Sequence, residues 1–310
     1  MVRLASTQSD NSTEQANLAS VSRLVEPSGI KEFQVNLAYS LMQSNLDLET
    51  TLERFYSSVQ DFVQTSGMTF SNKSEGIDVS LGRNCAHTAA YSIDINGNNL
   101  GQLIFSRNKR FAETELAVLE MLIGVLYLPL RNALLYRDAL EASMRDKLTG
   151  IGNRSALEVS FEREIKLATR HKQALSVLML DVDHFKGVND SVGHLSADLA
   201  LKQMVKSIQH TLRETDQVFR YGGEEFVVLL HNSSAHEARV IAERIRLNVA
   251  MSPVALDNQD LFCTVSIGAA SFCGVETAEE LLERADSALY HAKNTGRNKV
   301  ESWSNMSVTS

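Results

Sequence analysis

The sequence predicts a two-domain α/β fold of the α+β kind, on three observations. From residue 146 onward, apolar strand runs and amphipathic stretches alternate for about 155 residues, the pattern of helices packed on one sheet. Upstream, YSIDINGNNLGQLIFS (91–106) reads as strand, Asn96-Gly97 turn, strand. Between the two lies one long helical pattern. The chain has 310 residues, enough for about two domains of roughly 100–200 residues each.

Residues 1–30 are rich in Ser, Asn, Gln and Thr, end in Pro27-Ser28-Gly29, and read as a flexible tail. From 31 to 64, Leu37, Leu41, Leu46, Leu48, Leu52, Phe55, Val59 and Phe62 mostly recur at three or four residues, which suggests one or two amphipathic helices. The hairpin follows. A helix then begins near Glu113 and runs to about Arg145. Along it Leu116, Leu119, Ile123, Leu126, Leu130, Ala133, Arg137, Leu140 and Met144 step by threes and fours, a heptad seam spoiled only by Arg137. Its first half either packs on its own domain or pairs with a partner; the half after Asn132 reads as a paired stalk. Pro129 should kink this helix or remove a hydrogen bond near Val125.

In the C-terminal part a helix over 155–171 precedes the continuously apolar strand Leu175 to Val182. A helix carrying Leu199, Met204, Val205, Ile208 and Leu212 leads to RYGGEEFVVLL (220–230), which reads as a tight hairpin with glycines at φ > 0. A helix near 235–250, a strand near 262–270, a helix over 277–294 and a short strand near 299–303 complete the pattern. SWSNMSVTS at the end is again tail-like, with 303–310 outside the domain.

With 44% hydrophobic and 22% charged residues, the composition is that of a globular protein with real cores. A net charge of −8 argues against a surface that wraps nucleic acid, which needs a basic stripe. The three cysteines, Cys85, Cys263 and Cys273, show no metal-ligand spacing and read as reduced thiols. The start lacks an apolar segment of signal-peptide length, and the run Met121 to Leu130 is about half a membrane span. These features predict a cytoplasmic protein without a membrane span.

Chemistry enters with the acids. Glu224 and Glu225 repel each other at the glycine hairpin, and Asp181 and Asp183 leave a buried strand on one side. Carboxylates so placed are costly unless a cation or donor meets them. If the two strands are neighbours, Asp181 and Glu225 share a site. Hard oxygens in such a cluster suit Mg²⁺, held by one or two carboxylates and completed by substrate phosphates. Taken singly, each cluster is equally well a solvated strand end with ordinary ion pairs.

Four blocks in order sharpen that reading: RDKLTGIGNR (145–154), LDVDHFKGVNDSVGHLSAD (180–198), RYGGEEF (220–226) and AKNTGRNKV (292–300). Together they closely resemble the GGDEF family of diguanylate cyclases, over about 146–302. The resemblance implies a ferredoxin-like, palm-type catalytic domain with a central, mostly antiparallel sheet flanked by helices. It implies condensation of two GTP into cyclic di-GMP with release of two pyrophosphates, at two Mg²⁺ per site, with Mn²⁺ as a substitute.

By the same resemblance, Asp181, Glu225 and the backbone carbonyl of Val182 would hold the metals. Glu224 would be a further metal contact or the base near the attacking 3′-hydroxyl. Gly222 and Gly223 would let phosphate oxygens approach backbone N–H groups. Asn189 and Asp198 match the guanine-reading pair, with His194 beside them in the substrate site. A carboxylate accepts from guanine N1–H and N2–H, which adenine cannot supply. Lys186, Lys293 and Arg297 would offset the charge of the triphosphate. The family's GHxxGD stands here as Gly193-His194-Leu195-Ser196-Ala197-Asp198, and the added methyl of Ala197 could crowd the base pocket.

Arg213-Glu214-Thr215-Asp216 stands where family members carry the RxxD product-inhibition site, and Arg244 matches a third contributor. On local rules alone, Arg213 and Asp216 would be an ordinary i,i+3 ion pair.

The segment 31–137 more loosely resembles a GAF sensor domain, with 138–146 as a helical linker and 147–302 as the catalytic domain. Asn72-Lys73 is followed by Ser-Glu-Gly and lacks the asparagine-lysine-phenylalanine-aspartate-glutamate pattern of cyclic-nucleotide-binding members. Cys85 and His87 are read as ordinary residues rather than chromophore or haem ligands. Because the reaction joins two nucleotides, a homodimer is expected. The GAF-like part would bind a small ligand or a regulatory protein. The alternative function is a catalytically inactive receptor for GTP or cyclic di-GMP, or a scaffold, signalling through the GAF-like part.

Overall fold

The structure is a computed structural model that describes residues 46–95, 98–256 and 260–303, with residue 36. The tail expected at 1–30, the tail expected at 303–310 apart from Trp303, the expected helix around Leu37 and Leu41, and the Asn96-Gly97 turn lie outside the described residues. Contacts divide the chain into two compact units, 1–141 and 142–310.

The first unit opens with α1 (Leu48–Gln60), whose Asp47 cap accepts from the Thr50 N–H at 2.7 Å. Four antiparallel strands follow: β1 (Gly67–Asn72), β2 (Ile77–Gly82), β3 (His87–Ile95) and β4 (Asn98–Arg107), in the order β2-β1-β4-β3. Period-2 alternation turns Met68, Phe70, Tyr91, Ile93, Leu103 and Phe105 inward, and α1 meets them with Leu52, Phe55 and Val59. Arg107 ends β4 buried against Phe111, donating to Glu115 at 2.8 Å and to the carbonyl of Gln64 at 3.1 Å. That ties the sheet to α2 (Glu113–Ser143).

The structure decides between the two readings of the first half of the heptad seam. Leu119, Ile123, Leu126, Leu130 and Ala133 are all buried in this unit's own core. A helix face cannot serve both its own core and a partner, so the first half of that seam is not a dimer stripe. Exposed apolar residues of α2 include Leu128 (58%) and Leu135 (52%) off the seam, and Leu140 (42%) in its second half. Pro129 sits inside α2, which continues through it as one helix. By length and composition α2 could cross a membrane, unlike the ten-residue run considered alone. Eight of its residues, from Val118 to Leu134, are nevertheless buried within the unit.

The second unit is built on β5 (Leu175–Val182), buried at every position. The sheet runs β11-β10-β5-β7-β6, with β6 (Gln217–Arg220), β7 (Glu225–His231), β10 (Val265–Ser271) and β11 (Val300–Ser302). Only the β10–β11 pair is parallel, and a separate two-stranded ribbon joins β8 (Val254–Ala255) to β9 (Asp260–Leu261). Alternation along β5 explains its continuous apolarity. Leu178 and Leu180 face α4 (Phe185–Thr211) and α5 (Ala235–Met251). Val177 and Met179 face α3 (Arg154–His171) and α6 (Ala278–Asn294). Both faces of the sheet are therefore covered, as a strand without polar alternation requires. The mostly antiparallel sheet flanked by helices agrees with the expectation.

Gly268 on β10 sets how deeply α6 seats. A Cβ there would meet the Ala285 carbonyl oxygen at 2.0 Å and the Leu289 nitrogen at 2.2 Å, both main chain. Only glycine allows helix and strand to approach so closely.

Candidate active site

Antiparallel pairing puts Asp181, near the end of β5, directly opposite Glu225, the first residue of β7. Paired residues on one face stand with their Cβ atoms about 5 Å apart, so the two carboxylates share one end of the sheet. The Val182 N–H donates to the Glu224 carbonyl at 3.2 Å, closing the pairing at this edge. Val182 itself is buried.

The glycines earn their place differently from the expectation. Neither Gly222 nor Gly223 adopts positive φ. A Cβ on Gly222 would instead strike Glu225 Oε2 at 2.4 Å, whereas one on Gly223 would meet nothing within 4 Å. Gly222 thus makes room for a carboxylate of its own hairpin, and Gly223 leaves open backbone.

Asp181 and Asp183 are equally buried, each 6% exposed, but their surroundings differ. Asp183 accepts from Thr264 Oγ1 at 2.7 Å, Ser266 Oγ at 2.6 Å and the Asn298 N–H at 3.0 Å. It is a structural staple rather than an open ligand. Asp181 instead forms an ion pair with Lys293 Nζ at 2.8 Å. Burial pushes the Asp181 pKa above the ordinary carboxylate range, against the pull of Lys293 and, more weakly, Arg297. Glu224 is raised as well, by burial first and then by the negative charges of Asp181 and Glu225.

Lys293 is half-buried in the last turn of α6, and Arg297 is exposed in the loop beyond it with φ 58°. The remaining expected substrate residues lie on α4. That helix breaks at Gly193 (φ 79°, ψ 163°), with Lys186 and Asn189 before the break and His194 and Asp198 after it. Lys186 and His194 are exposed, and Asn189 and Asp198 half-buried. Ala197 is 1% exposed within the hydrophobic core, so its methyl lies among apolar side chains rather than standing out as a pocket wall.

The sequence reading missed Arg220 and Asp146 as a pair. Arg220 donates to both Asp146 oxygens at 3.0 and 3.2 Å, and to the carbonyls of Gly222 at 3.2 Å and Gly223 at 2.6 Å. Asp146 also accepts from the Thr149 N–H and hydroxyl. Burial is the largest single influence on Asp146, yet the Thr149 and Arg220 bonds together hold its pKa below the usual range. The glycine turn is therefore clamped from behind by the first block of the domain. The signal was present, since both residues sit in the quoted blocks, but nothing local said that they meet across 74 positions.

A second cluster gathers where α4 ends. The Arg213 N–H donates to Asp216 Oδ2 at 3.1 Å, so this pair closes a turn through the backbone instead of forming the i,i+3 ion pair of local rules. Asp216 Oδ1 is buried without a hydrogen-bond partner. The Arg244 guanidinium donates to the Thr211 carbonyl, two residues from Arg213, which brings α5 to the same corner. Arg213 and Arg244 are both exposed.

Residues 143–299 match the family model described as "Diguanylate cyclase, GGDEF domain", about half of the chain. The chain belongs to the GGDEF family. Over 166 residues it is 42% identical to diguanylate cyclase DgcP of Pseudomonas aeruginosa, covering 53% of this chain and 24% of that protein. Over 159 residues it is 44% identical to diguanylate cyclase DosC of Escherichia coli, covering 51% of this chain and 35% of that protein. The chain thus spans only about a quarter to a third of these relatives. Among solved structures, the GGDEF domain of DgcB from Caulobacter crescentus in complex with c-di-GMP aligns with TM-score 0.51 and 32% identity, over 53% of this chain and 94% of that one. Diguanylate cyclase SiaD from Pseudomonas aeruginosa, in complex with its activator SiaC, aligns with TM-score 0.52 and 38% identity, over 61% and 75%. The GGDEF match lies entirely downstream of the four-stranded sheet.

Among the described residues no three acidic, His or Cys side chains converge as a ready-made cation cage. Two facing carboxylates beside a main-chain carbonyl do fit an ion of the Mg²⁺ type, which keeps positions for substrate phosphates.

Proposed function

We propose that this protein is a diguanylate cyclase that condenses two GTP into cyclic di-GMP and two pyrophosphates. The observation that carries the reading is the Asp181–Glu225 juxtaposition beside Lys293, inside a GGDEF domain. Asp181, Glu225 and the Val182 carbonyl would hold two Mg²⁺ (or Mn²⁺), with Glu224 as a further contact. Metal bound there would supply Lewis acidity at the α-phosphate and ease ionisation of the attacking 3′-hydroxyl.

The protein's own groups account for the rest. Glu224, with its raised proton affinity, suits the uptake of the 3′-hydroxyl proton. Gly223 offers open backbone to phosphate oxygens, and Lys186, Lys293 and Arg297 offset phosphate charge. Asn189 and Asp198, with His194 nearby, read guanine. Incubating the purified protein with GTP and Mg²⁺ and identifying the product by mass tests the reading. Cyclic di-GMP is expected, and none from Glu225→Ala. An inactive receptor is the alternative, and the presence of Asp181, Glu224 and Glu225 weighs against it.

One domain holds one GTP, so two domains must meet, and positioning makes a homodimer part of the mechanism. With Leu119 to Ala133 committed to the core, the pairing stripe we assign is Leu128, Asn132, Leu135, Ala139 and Ala142. These residues step by three and four along the opposite, exposed side of α2. The four-stranded unit would act as a GAF-like sensor for a small ligand or a regulatory protein. Arg213, Asp216 and Arg244 would bind the product and inhibit. Arg213→Ala should raise the cyclic di-GMP concentration for half-inhibition about tenfold or more; unchanged inhibition would remove this site. We place the protein in the cytoplasm, where GTP is available and Cys85, Cys263 and Cys273 remain thiols.

A further inference from the structure

We infer that Lys293 is an exchangeable counter-ion, which holds Asp181 until a triphosphate draws it away and so couples metal binding to nucleotide binding. The inference rests on the metal role proposed for Asp181.

Three observations lead to it. Asp181 is as deep as Asp183, yet Asp183 is held by three uncharged donors and Asp181 by an ammonium. A buried carboxylate needs compensation, and here it is a cation that can leave. Next, Lys293 Nζ contacts Asp181 Oδ2 at 2.8 Å. A divalent ion approaching that carboxylate meets a positive charge already in contact with one of its oxygens, so metal and ammonium compete. Finally, α6 cannot slide to relieve the competition, because Gly268 brings β10 against its main chain at Ala285 and Leu289. What can move is the four-carbon stem of Lys293, whose side chain is 29% exposed.

An ammonium on a flexible stem is a mobile point charge. A triphosphate offers it several anionic oxygens, a better destination than one carboxylate. As Lys293 swings to phosphate, Asp181 becomes free to take metal. By linkage, metal then favours nucleotide as much as nucleotide favours metal. Lys293 therefore suppresses metal binding while no nucleotide is bound.

The test uses the full chain and measures Mn²⁺ binding by the electron paramagnetic resonance signal of the free ion. Wild type, Lys293→Met and Asp181→Asn are titrated without nucleotide, then with a non-hydrolysable GTP analogue. Lys293→Met should bind Mn²⁺ roughly tenfold more tightly than wild type without nucleotide, within the 5–150-fold range of typical couplings. Its further tightening on adding the analogue should be correspondingly smaller. A thermal scan supplies a second readout. Lys293→Met should melt below wild type in chelator and recover when Mn²⁺ is added, because the metal replaces the missing charge. If Lys293→Met binds Mn²⁺ no more tightly than wild type while Asp181→Asn loses binding, the counter-ion role is wrong and the metal site stands. If Asp181→Asn binds as wild type does, both fall.

Discussion

The two sheets of this protein handle polarity in opposite ways. In the N-terminal unit the charged and amide side chains deep in the sheet have protein partners, although the buried Tyr91 hydroxyl has none. Arg107 is bonded to Glu115 and three carbonyls, and Asn72 bonds to Leu100 and Ser74. In the C-terminal unit, one end of the sheet gathers Asp181, Glu224 and Glu225 with a single ion pair, to Lys293, among the described residues. The first sheet pairs its buried charge within the protein, whereas a site that binds charged ligands leaves some charge for a ligand to satisfy. Asp181, in β5, and Asp183, just past its end, compress this contrast into a stretch of three residues.

The largest effect should come from the unsatisfied side. Asp181→Asn should lower product formation about a thousandfold, roughly 4 kcal/mol of transition-state stabilisation, while its melting temperature stays close to wild type. Product chromatography and a thermal scan check both. Asp183→Ala should do the reverse to stability, costing about 3 kcal/mol in urea titration, because two hydroxyls and an N–H lose a charged acceptor. A stable Asp183→Ala protein would break the contrast.

Asp146→Asn should follow, at about 2 kcal/mol, through loss of charge-assisted bonds to Arg220 and Thr149. The sign with pH is definite. A carboxylate depressed in the folded state contributes stability above its unfolded value and loses it as pH falls toward the depressed one. The wild-type minus Asp146→Asn difference should therefore shrink on acidification. Asp181 and Glu224 are shifted the other way in the metal-free protein. Protons should therefore compete with Mg²⁺ for them at a higher pH than for ordinary carboxylates, and activity at limiting Mg²⁺ should fall on the acid side. A rate profile of kcat/KM against pH locates that limb. The smallest effect is expected from Ala197→Gly, about 1 kcal/mol of helix stability, with KM for GTP unchanged; a marked fall in KM would return Ala197 to the base pocket.

Much of this was legible in sequence because it is local. Leu175 to Leu180 announced a buried strand, and the helical stretches near 235–250 and 277–294 stand as α5 and α6. The carboxylates were visible as carboxylates. What periodicity could not say is which partner a face meets. The Leu119-to-Ala133 stripe satisfies a heptad as well as a core, because both demand steps of three and four, and only the sheet beneath α2 decides. The φ reading at Gly222 failed for a related reason. Glycine was required, but by a side chain three residues on and not by the turn itself. Pairings such as Arg220–Asp146 depend on chain closure over long separations, which no window contains.

The staple at Asp183 carries a consequence for synthesis. Its third donor, the N–H of Asn298, comes from 115 residues downstream, and the ammonium facing Asp181 comes from the same region. A nascent polypeptide that has emerged only through β10 possesses the acidic strand and the glycine turn, but neither the cation nor the last clasp. The acidic end of the sheet should thus be held together only once residues through 298 have been made.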